Sequence, residues 1–221
     1  MIHSEFYTNI AADRHATRRQ EADAHRLARQ ARSQVHTRVR HSVWSAMGQR
    51  IGRLRDARAV YLRPIEPSDA ALIEDVFARL SPQSRPLRFL TPRKMLTAAE
   101  LKWLTDVDDD RHVGLIAVRR SDGRAVGEAR YIRSNTDAGA AEIAVTVADD
   151  WQGRGLGTRL VDRLSALARC RGVSRFTALM SVDNKAAHRL VRRTSAAARV
   201  ADRDGATVSF EIPLPTGAGG C

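Results

Sequence analysis

Gly153, Gly155 and Gly157 stand at alternate positions between a β-branched run, Val145-Thr146-Val147, and an amphipathic run that begins at Leu156. Strand, glycine-rich turn and helix, in that order, make a cradle for an anion. Glycine lacks the Cβ that holds a backbone away from a ligand, and it adopts angles closed to other residues. Successive N–H groups can then converge on one charge, and the first turn of the following helix adds unpaired N–H groups and a partial positive charge. A pyrophosphate is the natural guest. Glu142 opens the strand that feeds this loop, and Glu128, Asp149 and Asp150 are further carboxylates close to it in sequence.

Spacing separates the phosphate-binding loops. A dinucleotide fingerprint requires G-x-G-x-x-G, and here the glycines fall as G-x-G-x-G. A P-loop requires a lysine directly after its last glycine, and Thr158 stands there instead. The remaining pattern, Gln152-x-x-Gly155-x-Gly157, resembles the pyrophosphate loop of the GNAT superfamily of acyl-coenzyme A dependent N-acyltransferases. Its setting agrees: Glu142-Ile143-Ala144-Val145-Thr146-Val147 has strand propensity, and Leu156, Leu160, Val161, Leu164, Leu167 and Ala168 follow at helical spacing. The resemblance covers residues 58–213, and the runs Leu80-Ser81-Pro82-Gln83-Ser84, Arg88-Phe89-Leu90, His112-Val113-Gly114-Leu115 and Gly127-Glu128-Ala129-Arg130-Tyr131 are similar to the acyltransferase domain of Pat-type bacterial protein lysine acetyltransferases.

The resemblance implies an α/β (α+β) GNAT fold, with a mixed, mostly antiparallel central sheet flanked by helices. It implies an N-acetyltransferase that uses acetyl-CoA as cosubstrate, needs no metal, and passes the acetyl group to a primary amine, a protein lysine first, by direct attack in a ternary complex. The N–H groups of Gly153, Arg154, Gly155, Leu156, Gly157 and Thr158, with Gln152 opening the motif, would hold the pyrophosphate. Val145 and Val147 would line the acyl-pantetheine arm where their strand parts from its neighbour, with an N–H near Val147 as oxyanion donor. Asn184 matches the asparagine set against that arm, and it is equally suited to cap the helix that follows. Glu142 would take the proton of an amine whose reference pKa is about 10.4, with Glu128 the second choice of base and Asp149 and Asp150 the third. Two features depart from the pattern: no tyrosine follows Asn184, and Arg193-Thr194-Ser195-Ala196 replaces the usual Leu-Gly-Phe. His188 and water are the candidates to protonate the departing thiolate in its place. The rival reading is a catalytically weak acyl-CoA-binding module. Pat-type enzymes can also carry a cyclic-nucleotide domain, for which the first 57 residues offer no room.

These side chains need a scaffold to position them. The patterns predict strands over 58–63, 112–119, 124–133, 140–148 and 174–180, helices over 67–80, 97–105, 155–171 and 184–194, and a closing hairpin of 197–201 with 206–212. Turns are expected at Ser121-Asp122-Gly123-Arg124 and Asp204-Gly205. Hairpins early and a helical crossover later make a mixed sheet. Residues 81–96 and 133–140 read as loops that would shape the acceptor pocket.

A chain of 221 residues, 43% hydrophobic, supports one domain at 58–213, an N-terminal basic arm at 1–57 and a flexible tail at 214–221. Within the arm, residues 11–56 repeat Leu27, Ala31, Val35, Val39, Val43 and Met47 every fourth position among arginines, which predicts an amphipathic helix. Twelve arginines against five acids in residues 1–59 place seven of the twelve net charges there. Such a helix packs on the domain or on its copy in a homodimer, or it contacts nucleic acid, a membrane surface or a partner protein. The histidines of the arm show no metal spacing. Two cysteines give no disulfide framework, there is no apolar signal core, and no run approaches the roughly 20 apolar residues of a membrane span. A cytoplasmic protein is the expectation.

Overall fold

The computed structural model describes residues 60–90 and 94–215. The basic arm, and with it the expected helix, nucleic-acid or partner contact and homodimer, lies outside the described residues. Within them, seven strands form one sheet in the order β1-β2-β3-β4-β5-β7-β6. They are β1 (Val60–Pro64), β2 (His112–Arg119), β3 (Ala125–Arg133), β4 (Ala140–Val147), β5 (Arg175–Ser181), β6 (Arg199–Asp204) and β7 (Thr207–Pro213). All neighbours are antiparallel except β4 and β5, which are parallel, so the sheet is mixed and mostly antiparallel.

Each strand's sequence matches its place. β2, His112-Val113-Gly114-Leu115-Ile116-Ala117-Val118-Arg119, is buried along nearly all its length because helices cover both its faces, which is why it reads as a continuous apolar run. β5 alternates buried and half-buried residues, and β6, at the sheet edge, is exposed throughout.

Helices flank the sheet on both sides. On the first face, α1 (Ala70–Ala78), entered through a 3-10 turn at Pro67–Asp69, and α3 (Ala98–Thr105) bury Ile73, Val76, Phe77 and Leu104 with Ile116 and Val118 of β2. α3 starts where Thr97 and Glu100 cap each other: Glu100 N donates to Thr97 Oγ1 at 3.2 Å and Thr97 N to Glu100 Oε2 at 2.8 Å. On the second face lie α4 (Leu156–Cys170) and α5 (Lys185–Thr194). α4 buries Leu156, Leu160, Val161, Leu164, Leu167 and Ala168, the stripe expected from the sequence.

Three features differ from the sequence reading. Residues 81–96 are not all loop, because Ser84–Phe89 form a short helix, α2, started by Ser84 N donating to Ser81 Oγ at 3.1 Å and stopped by Leu90 at φ 56°. Asp149–Trp151 make a 3-10 turn before the glycine loop. Leu214, assigned to the tail, is buried, and its N–H donates to Ser174 O at 2.8 Å. Among the described residues no helix is long and apolar enough to cross a membrane, and no group of side chains is suited to hold a metal ion.

Candidate active site

β4 is paired unequally along its two edges. Toward β3 it is paired from Ala141 to Val147. Toward β5 it is paired only at Ala140, Ala141 and Glu142, although β5 runs on to Ser181 beside β7. The two parallel strands therefore part after Glu142 and leave a fork. Ala148 N donates to Val126 O, toward β3, so by the alternation of an extended strand the N–H groups of Val147, Val145 and Ile143 aim into the fork. The expected splay near Val145 and Val147 is thus present. Gly127 keeps the closed side tight: a Cβ there would lie 2.8 Å from Thr146 O.

The glycine loop lies at the fork's mouth. Gly153 and Gly155 have φ of 72° and 86°, and open space surrounds both, so backbone angle rather than crowding calls for glycine. Gly157 differs, having no such angle, and a Cβ on it would make ordinary contacts with Leu190 at 3.6 Å and Val147 at 3.9 Å. Gly155 is the N-cap of α4 and no side chain caps the helix. The N–H groups of Leu156, Gly157 and Thr158 accordingly project from the helix start. Gln152 donates from Nε2 to Val147 O at 3.1 Å and to Asp149 Oδ1 at 2.8 Å, which ties the loop to the end of β4. Trp151 is fully buried beneath the loop, and the Arg154 guanidinium lies over its ring at 5.4 Å. Asp149 accepts from Ser81 N at 3.1 Å and Asp150 from Arg79 at 3.3 Å. Those two aspartates are anchors to α1 and the turn after it.

On the first face, Glu142 stands in a row with Ile132 of β3 and Thr177 of β5, half-buried at the vertex of the fork. Farther along that face Glu128 is buried and fully engaged: Oε1 accepts from Thr146 Oγ1 at 2.8 Å and Oε2 from Arg130 Nε at 2.9 Å. The wholly buried Arg130 also donates to Leu104 O at 2.8 Å and to His112 Nε2 at 3.1 Å. Burial, followed by the Arg130 charge, holds the His112 imidazole down to about 3, so the neutral ring accepts that bond. Trp103 stacks on His112 with centroids 4.7 Å apart. Glu128 is therefore a fixed interior anion, while Glu142 sits where two strands separate. Sequence reading missed this network; the one signal was a charged pair, Glu128 and Arg130, in an otherwise apolar strand.

On the second face, Asn184 caps α5, its Oδ1 accepting from Ala187 N at 3.0 Å, and its Nδ2 lies 3.5 Å from Leu87 O. The capping role is present. His188, one turn later, meets the Phe210 ring edge-on with centroids 5.3 Å apart. Val191 is buried and Leu190 reaches toward Gly157, which sets α5 against the start of α4.

Comparison with known proteins places this geometry. The sequence matches the model of the Acetyltransferase (GNAT) family over residues 74–195. It is 34% identical over 144 residues to acetyltransferase Pat of Mycolicibacterium smegmatis, a match that covers 65% of this chain and 43% of that protein. It is 36% identical over 164 residues to an acetyltransferase of Pseudomonas aeruginosa, covering 72% of this chain and 86% of the relative. Among solved structures, the GNAT domain of S. lividans PAT superposes with a TM-score of 0.68 at 29% identity, over 74% of this chain and 95% of that one. The chain thus spans less than half of the mycobacterial Pat and nearly all of the isolated GNAT domain.

Proposed function

The chain belongs to the GNAT acetyltransferase family, and from that premise we propose that it transfers the acetyl group of acetyl-CoA to a protein lysine by direct attack, with Glu142 as general base. The observation that carries the reading is the fork between β4 and β5, which opens at Glu142 and ends at an uncapped helix start. The residues fit the donor. Gly153 and Gly155 turn the loop through angles that let consecutive N–H groups face a pyrophosphate, and α4 adds its terminal N–H groups and dipole. Bound there, acetyl-CoA supplies an acyl thioester.

The chain's own groups account for the remaining steps. The strand edge of Ile143, Val145 and Val147 offers N–H donors to an extended arm and to the oxygen of the acyl group as charge develops on it. Glu142, on the opposite face from the glycine loop, accepts the proton that a lysine must lose before its nitrogen attacks. The likeness to Pat-type sequence runs supports a protein lysine as acceptor, and the loop at 133–140 and α2 are the elements beside the fork that would select it.

A single-turnover assay with labelled acetyl-CoA and a pool of lysine-containing peptides tests the proposal. Glu142→Gln should slow transfer about 10²–10⁴-fold, the usual worth of general base catalysis, with acetyl-CoA affinity unchanged. Equal transfer by Glu142→Gln and the parent removes the base assignment. Binding of acetyl-CoA without transfer to any amine would favour the module whose role is acyl-CoA binding alone.

A further inference from the structure

From the register of the sheet on the Glu142 face, we infer that Thr177 holds the acceptor amine beside Glu142, an inference that rests on the acetyl-transfer reading above. Thr177 of β5 is in register with Glu142 of β4, in the last pair before the two strands part. Residues in register share a face, and neighbouring strands lie about 4.8 Å apart. Alternation along β5 agrees: Phe176, Ala178 and Met180 are buried on the second face, while Thr177 and Leu179 between them are half-buried on the first. Thr177 and Glu142 therefore stand side by side at the vertex of the fork, on the side from which an amine would enter.

The other neighbours of Glu142 in the sheet are unsuited to hold an amine. Ile132 flanks it on β3, and Ala140 and Ala144 precede and follow it on this face of β4. Arg130, in register with Ala144, and Arg175, in register with Ala140, are cations that would repel an ammonium. Both are engaged, Arg130 with Glu128 at 2.9 Å and Arg175 with Asp137. Glu211 lies one strand beyond Thr177 and pairs with Arg199 at 3.0 Å. Among the described residues nothing engages the Thr177 hydroxyl, and the residue is only half-buried. It is the neutral acceptor next to the base.

An attacking nitrogen makes demands that a carboxylate alone does not meet. Once Glu142 has taken a proton from the lysine ammonium, the nitrogen carries one lone pair and two N–H groups. The lone pair must point into the fork, at the acyl carbon. A nitrogen held by Glu142 alone can turn about that one contact, whereas a second acceptor on the adjacent strand fixes its direction. The Thr177 oxygen has lone pairs to accept one of the N–H groups. Its hydroxyl keeps its own proton throughout, so Thr177 orients the amine and is unchanged by the transfer.

Two substitutions separate the hydroxyl from the packing. Thr177→Val keeps the β-branched shape and removes only the oxygen, so transfer to a lysine peptide should fall about tenfold, the worth of one hydrogen bond. Acetyl-CoA affinity by calorimetry should stay within about twofold of the parent's. Thr177→Ser restores the oxygen and should recover most of the loss. The acid limb of the pH–rate profile reports the base and should keep its position in Thr177→Val, because threonine does not titrate. Parent-like transfer by Thr177→Val overturns the inference. So does a Thr177→Ser variant slower than Thr177→Val, since volume would then matter more than the hydroxyl. A displaced acid limb also overturns it, because Thr177 would be acting on Glu142 and not on the amine. Transfer slowed by Glu142→Gln but not by Thr177→Val rejects this inference alone, whereas a parent that acetylates no amine rejects the acetyl-transfer reading and this inference with it.

Discussion

The two faces of the sheet solve opposite problems around one fork. The first face carries charged side chains: Glu142 at the vertex, and Glu128, Arg130 and His112 in a buried network behind it. The second face presents backbone at the loop and hydrocarbon along the strands, with Gly153 and Gly155 shaping N–H groups and α4 left uncapped. In the proposed function a donor rich in phosphate and extended in shape is met by backbone, which offers many donors at fixed geometry. In the same proposal a proton to be removed is met by a carboxylate. The comparison separates holding from reacting, and substitutions on the two faces should therefore fail in different ways.

The largest expected effect is on the first face and on stability. Arg130→Met strips the buried Glu128 carboxylate of its ion partner, and losing one member of a buried pair costs about 3–5 kcal/mol. Chemical denaturation should show that loss. The double variant Glu128→Gln with Arg130→Met should recover much of it, because no uncompensated charge is left behind. If the single variant is as stable as the parent, the network is not what anchors β3 to α3, and the contrast between the faces weakens.

That network marks the limit of what the sequence disclosed. The glycine loop, the strand before it and the helix after it were legible because each rests on local rules: dihedral freedom, strand propensity and helical spacing. β2 falls at His112–Arg119 and α5 at Lys185–Thr194, close to the expected 112–119 and 184–194. Glu128 was read as a base of second choice because a carboxylate in a strand near a loop fits that description. Its engagement with Arg130 and Thr146 depends on three strands and α3 meeting, and no local pattern encodes that. The fork was expected near Val147, but only register places its vertex at Glu142. α2 was missed because Ser84–Phe89 contains Pro86 and is too short to show a period.

A smaller effect separates two glycines of the second face. Gly155→Val forces a β-branched residue to φ 86°, which costs about 1–3 kcal/mol, and it should weaken acetyl-CoA binding as the loop distorts. Gly157→Ala places its Cβ in ordinary contact with Leu190, at 3.6 Å, so folding stability should hardly change. Any loss of acetyl-CoA affinity in Gly157→Ala then reports close approach of the donor to that backbone. Equal stability of Gly155→Val and the parent would remove the angle as the reason for glycine there.

The smallest effect tests whether Asn184 belongs to the scaffold or to the site. Its Oδ1 already accepts the N–H of Ala187, so Asn184→Ala should cost about 1 kcal/mol through the lost cap. Asn184→Asp keeps an acceptor in that position and places a negative charge at a helix N-terminus, where the dipole favours it, so the thermal midpoint should match or exceed the parent's. What the aspartate lacks is the amide donor, which lies only 3.5 Å from Leu87 O and makes a weak bond there. A drop in acetyl-CoA affinity in Asn184→Asp with stability intact would assign the amide to the donor's arm and extend the second face's holding role to a side chain. Unchanged affinity would confine Asn184 to capping α5 and leave holding the donor to backbone alone.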